Sequence, residues 1–215
     1  MGEKMKVSKF FAGIFAVLAV ILAVATIVVS FGFLNSSPVL MKSSEEALGA
    51  VDTLMNAVCE GNYSEAGAVM YGMPDLGVHD AADEVSQLVW DSFVDSISYE
   101  LVGGFHATDS GLAQNVKISS LDMKSVAVNL GTYAQTLLPQ RVEDAEDISQ
   151  VYDEDNNYRD EFVMSVLLEA AAMALERDAV YNEQEITVNL VYKQGQWWVV
   201  PEQQLLSAIS GGIAG

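Results

Sequence analysis

The sequence predicts an α+β domain held outside the membrane by a single N-terminal transmembrane helix. Three observations predict it. Phe10 to Phe33 runs for 24 residues without a charge, interrupted only by Thr26 and Ser30. Apolar residues then recur at helical spacing through Ala47–Val58 and Val85–Ile97. From Tyr99 the period falls to two, and it alternates again in Glu185–Tyr192 and Trp197–Val200.

An α-helix rises about 1.5 Å per residue, so the apolar run is long enough to cross a hydrocarbon layer of roughly 30 Å. Lys4, Lys6 and Lys9 precede it, and the positive-inside rule leaves residues 1–9 in the cytoplasm. A cleaved signal peptide is the alternative, with Ala23-Val24-Ala25 as small residues for a peptidase. Against it, apolar sequence continues to Phe33, whereas a signal-peptide core is only about 7–15 residues long. No cysteine follows the run closely, and Lys6 stands where a myristoylation signal requires Ser or Thr. Residues 34–42, with Asn35-Ser36-Ser37-Pro38, read as a linker. Residues 43–215 then form one extracytoplasmic domain of a size that builds a single core.

Three of the 10 basic residues and one of the 30 acidic ones precede the span, so 7 face 29 beyond it. Such a surface repels phosphate backbones and anionic lipid headgroups, which argues against nucleic acid as a partner. Cys59 is the only cysteine, so no intrachain disulfide forms and the domain relies on its core. Cys59 lies beside an apolar stripe and reads as a structural thiol; His79 and His106 have no sequence relation to it.

Taken in order, Ser43 and Glu46 have the spacing of a capping box, and Ala47, Leu48, Val51, Leu54, Met55 and Val58 make the stripe of the first helix. Gly61 is its C-cap. Asn62-Tyr63-Ser64 matches a glycosylation acceptor, a weak pattern, and Ser64 reads more simply as the cap of a second helix. Asp80 is the expected cap of a third helix, with its stripe at Val85, Leu88, Val89, Phe93 and Ile97. In the first strand Tyr99, Leu101 and Phe105 point one way and Glu100, Val102 and His106 the other, with a bulge at Gly103-Gly104. Thr108-Asp109-Ser110-Gly111 turns into a second strand bearing Val116 and Ile118. Asp122 to Leu138 fits a strand over a short run and a helix over four turns; length selects the helix, ending at Pro139. Arg141–Asn157 reads as an acidic loop, and Tyr158–Arg177 as a helix. Gln194-Gly195 makes a tight turn between the last two strands, and Leu205–Ile209 a terminal helix.

The run A-V-C-E-G-N-Y-S-E-A (57–66) at the first helix junction and G-Q-W-W-V-V-P-E-Q-Q-L-L-S-A-I-S-G-G (195–212) at the end resemble the nuclear-transport-factor-2-like superfamily. More narrowly they resemble membrane-anchored or lipoprotein members from Gram-positive bacteria. The resemblance implies a cone of helices packed in the concave side of a bent antiparallel sheet, with a helical insertion over about 122–177. It also implies a cavity lined by Tyr99, Leu101, Phe105 and Trp197, suited to a small apolar ligand. In family members this strand carries a Trp and a Val on the core face, which matches Trp197 and Val199. Trp198 and Val200 then fall on the opposite face, where a second protomer, an envelope partner or the inserted helices would cover them.

Enzymes of that superfamily, isomerase-like and dehydratase-like, place a carboxylate, a Tyr or a His inside the cone. Here the alternation puts His106 on the face opposite Tyr99, so the expectation is a binding or scaffolding domain without a cofactor, with an enzyme as the alternative. Asp153, Asp155 and Asn157 have the spacing of three calcium ligands. Tyr158 replaces the required Gly and Met164 the bidentate Glu, so no metal is expected there.

Overall fold

The computed structural model describes residues 44–72, 76 and 82–212. Its centre is a four-stranded antiparallel sheet in sequence order, β1 (Ser98–Ala107), β2 (Leu112–Leu121), β3 (Tyr181–Lys193) and β4 (Gln196–Val199). Six α-helices accompany it: α1 (Ser44–Cys59), α2 (Tyr63–Ala68), α3 (Glu84–Ser96), α4 (Met123–Glu143), α5 (Asp160–Glu176) and α6 (Gln203–Ile209). The class is thus α+β. No helix among the described residues is long and apolar enough to cross a membrane. The apolar run Phe10–Phe33 and the caps expected at Ser43 and Asp80 lie outside the described residues.

One face of the sheet is apolar and the other is wet. On β3 every second residue, Ile186, Val188 and Leu190, is buried, while Glu183, Glu185 and Thr187 between them are exposed. Across the ladder the inner residues meet Val116, Gln114 and Leu112 of β2, and Leu190 meets Val199 of β4. Over this face lie α1, against β1 and β4, α3 against β2, and α6 against β2 and β3. Leu54, Met55 and Val58 of α1 and Val89 and Phe93 of α3 are all buried there. The outer face is a lattice of polar pairs, with Lys117 2.5 Å from Glu183, Asn115 donating to Glu185 and Thr187 donating to Asn115. These exposed pairs add little stability, but they keep the face soluble.

The turns fall where their residues require. At the end of α1, Gly61 takes φ +71°, its N–H donates to the Val58 carbonyl, and the Asn62 N–H reaches back to Ala57, a Schellman closure. The register of β1 against β2 shifts between Val102 and His106, around Gly103-Gly104. Buried Gln114 lies opposite the bulge and donates to the Val102 carbonyl, repairing the interrupted ladder. The edge of β4 is covered by the segment after α2: Val199 donates to the Val69 carbonyl, and the Tyr71 N–H donates to Val199.

Three local expectations are corrected. The cap of α2 is Asn62, whose side-chain Oδ1 accepts from the Glu65 N–H, and Ser64 is already inside the helix. The cap of α3 is Asp83, accepting from Ser86, and not Asp80. Pro139 does not end α4, which runs on to Glu143, so the first three residues of the expected acidic loop are helical, and Ile148–Gln150 within it forms a 3-10 turn. Proline removes one N–H and crowds the carbonyl four residues back. The helix passes through where α4 and α5 pack side by side and Arg141, two residues after the proline, bridges to Glu169. The choice of helix over strand for Asp122–Leu138 agrees with the structure, with Asp122 capping the amides of Lys124 and Ser125.

Two substitutions test this packing. Pro139→Ala restores the missing donor in a helix that continues past it and should stabilise the protein by about 1–2 kcal/mol; an unchanged or lowered denaturation midpoint would mean that α4 stops at Leu138. Gly211 has φ +62°, and a Cβ there would lie 2.8 Å from the Leu121 carbonyl oxygen and 2.8 Å from the Phe93 ring. Gly211→Ala should therefore lose about 2 kcal/mol or more, read in the same urea titration.

Candidate functional site

The inner, helix-covered face of the sheet holds the residues expected to line a cavity. Tyr99 pairs with Ile118 and Leu101 with Val116, so both share the inner face, half-buried against the core. Phe105 lies within the bulge and also packs on the core. Trp197 is 5% exposed, packs edge-on against Tyr192 with ring centroids 5.4 Å apart, and its indole N–H has no partner. The Tyr99 hydroxyl donates to the Asn56 side chain at 3.0 Å. Burial first, then Asp52 and Cys59 nearby, raises the pKa of its phenol, so it stays neutral. The described inner face is thus filled by the side chains of α1 and α3.

The remaining sequence candidates are apart from one another. His106 is exposed on β1 opposite Ala113. Trp198 is half-buried on the outer side of β4; its indole N–H donates to the Lys193 carbonyl and its ring meets Tyr71 edge-on at 6.3 Å. Val200 is half-buried beside it, its N–H bonded to the Asn189 carbonyl. What packs on Trp198 within the chain is therefore Tyr71, from the segment that follows α2. Asp153 uses one carboxylate oxygen to accept from the amides of Asp155 and Asn157, which closes a tight turn. Among the described residues no three His, Cys, Asp or Glu side chains gather as a metal site would need. Asn62 caps α2 and donates its side-chain amide to Glu65, and the neighbouring Tyr63 is buried with its hydroxyl on the Ile209 carbonyl. The acceptor pattern at 62–64 is thereby accounted for by folding.

A cavity of about 330 Å³ opens at the far end of the α4–α5 hairpin. Arg141 and Asp144 supply it from the end of α4, Val151 from the connecting 3-10 turn, and Phe162, Ser165 and Glu169 from one face of α5. Arg141 directs Nε (3.0 Å) and Nη2 (2.5 Å) at the same oxygen of Glu169, Oε2. The hydrogen bond and charge of Glu169, and more weakly Asp144, raise the guanidinium pKa further. Phe162 is fixed by stacking on Tyr158 (6.0 Å), which stacks in turn on Tyr152 (5.0 Å). Burial and the hydrogen bond it shares with Tyr152 push the Tyr158 phenol up to about 12. Arg159, at the start of α5, holds the turn by donating from Nε to the Ser149 carbonyl.

Sequence reading missed this cavity because it stopped α4 at Pro139 and left Arg141 in a loop. One signal was available: Phe162, Ser165 and Glu169 recur at i, i+3 and i+7, a mixed apolar and charged face on an otherwise apolar helix. No family model, curated protein or solved structure matches the chain.

Cys59 is half-buried, and burial followed by Glu60 raises its thiol pKa. The folded thiol thus holds its proton more tightly than the unfolded one, and this contribution to stability is lost as pH rises past the unfolded thiol's pKa. Iodoacetamide at pH 8 should modify native Cys59 well below its rate in urea; equal rates in the two states would show a thiol free of its surroundings.

Proposed function

We propose that the chain is a membrane-anchored extracytoplasmic domain of the nuclear-transport-factor-2-like cone type, whose role is binding or scaffolding and not catalysis. The observation that carries the second half is the inner face of the sheet. Its described positions on β1 to β4 bear Tyr, Phe, Leu, Val, Ile, Ala, Gln, Asn, Ser and Trp, but no carboxylate or imidazole. Proton abstraction of the isomerase or dehydratase kind needs a base within reach of substrate. His106, the nearest sequence candidate, is exposed on β1, and Tyr99 is a neutral phenol bonded to Asn56. The buried polar side chains, Ser86, Gln114, Ser120 and Ser210, are not bases at neutral pH.

The first half is supported by Phe10–Phe33 with three lysines within the nine residues before it against Lys42 alone in the nine after it, and by the acidity of the domain that follows. Binding surfaces of two kinds are available to such a domain: the half-buried pair Trp198 and Tyr71 on the outer sheet face, for a second copy or an envelope partner, and the α4–α5 cavity, for a small molecule.

Topology provides the test. In cells stripped of their wall, added protease should degrade residues after Phe33 while leaving cytoplasmic markers intact. Protection of the domain until the membrane is lysed would overturn the reading.

A further inference from the structure

We infer that the α4–α5 cavity binds a small zwitterion, an amino-acid-sized molecule with an ammonium group, a carboxylate and an apolar body. The inference rests on the binding-domain reading and gives that domain a ligand class. Size comes first: about 330 Å³ is at the lower end of the roughly 300–1,000 Å³ of small-molecule sites.

Charge selects the class. The lining carries Arg141 and Asp144 from the end of α4 and Glu169 from α5, so groups of both signs face the space. Both bonds from Arg141 end on Oε2 of Glu169, which leaves Oε1 of Glu169 open as an acceptor and Nη1 of Arg141 open as a donor. A bare anion would face two carboxylates within a chain of net charge −20. A bare cation would face the guanidinium, which is never neutral. A molecule carrying both signs satisfies both kinds of group, its carboxylate on Arg141 and its ammonium on Asp144 and Glu169.

The apolar part of the ligand has its own surface. Val151 and Ala145 supply aliphatic wall, and the Phe162 ring is held in place by Tyr158 before any ligand arrives. A wall that is already ordered loses little entropy on binding.

Titration calorimetry on the full chain in detergent tests this with four related probes: leucine, leucinamide, N-acetyl-leucine and glycine. Leucine should bind saturably. Leucinamide lacks the anion, N-acetyl-leucine lacks the cation and glycine lacks the apolar body, so each should bind about tenfold more weakly or worse. Arg141→Gln and Glu169→Gln should each weaken leucine by a similar factor. Because both break the bridge between α4 and α5, Asp144→Asn is the check that leaves that bridge intact; it should weaken leucine while keeping the melting temperature. Leucine that fails to saturate by about 10 mM, leucinamide or N-acetyl-leucine binding as well as leucine, or an unchanged affinity in Asp144→Asn would each overturn the assignment. Protease accessibility in wall-stripped cells is independent of these heats, so loss of the ligand class and loss of the anchored-domain reading are separate results.

Discussion

The structure depends on β2 having one face that water never reaches. It is the central partner of both β1 and β3, and its inner residues Leu112, Gln114, Val116, Ile118 and Ser120 are all buried. A sheet with one such face must be roofed, and α1, α3 and α6 are that roof. The roof is tied down by polar bonds at its corners. The buried Tyr63 hydroxyl reaches the Ile209 carbonyl, linking α2 to α6 across 146 residues of sequence. The Ser96 hydroxyl accepts from the Leu121 N–H, joining the end of α3 to the end of β2. Gly211 admits the Phe93 ring and the Leu121 carbonyl into the space a side chain would take. Burial supplies most of the stability here, and these bonds set the angle at which the helices sit.

A roof that fills the inner face changes where binding is available. The space between a sheet and the helices covering it is a natural candidate for a cavity, yet against the described inner face Leu54, Met55, Val58, Val89 and Phe93 are buried. The α4–α5 hairpin lies beyond that roof. It packs through α5 onto α3, with Val166, Leu167, Ala170, Ala171 and Ala174 buried. Three small residues among those five let the helices approach closely near the middle of α5. Bulkier Phe162 and the charged pair Arg141–Glu169 are at the open end. The hairpin therefore closes at one end and stays open at the other, which is the physical origin of the cavity.

Legibility from sequence followed the strength of the period. The second half of β3, the bulge at Gly103-Gly104 and the turns at Thr108–Gly111 and Gln194-Gly195 were readable because alternation and turn residues coincide there. The start of β3 was not, since Tyr181, Asn182, Glu183 and Gln184 have no apolar alternation; pairing with Leu121 back to Ile118 makes them a strand. The cap of α3 was misplaced because Asp80 and Asp83 offer the same chemistry three residues apart. Local rules rank such choices but do not separate them. Pro139 shows the opposite failure, a strong local rule overridden by packing between two helices. The cavity was lost with it, since Arg141 and Asp144 reach Glu169's side only if the helix goes on.

The acidity of the chain has a consequence for any ligand of this domain. With 30 acidic and 10 basic residues, the surface potential draws cations in and turns anions away. On the outer sheet face Lys117 is already drawn to Glu183, with Glu100 and Glu185 adding to the pull. At the hairpin Arg141 is likewise shared between Glu169 and Asp144. Lys117 and Arg141 are thus neutralised by neighbours before they can attract an anion from solution at long range. A ligand carboxylate gains from Arg141 only at contact, after the molecule has arrived. Its ammonium group supplies the long-range attraction and its carboxylate the short-range fit, so the order of approach, as well as the final contacts, favours a molecule with both charges.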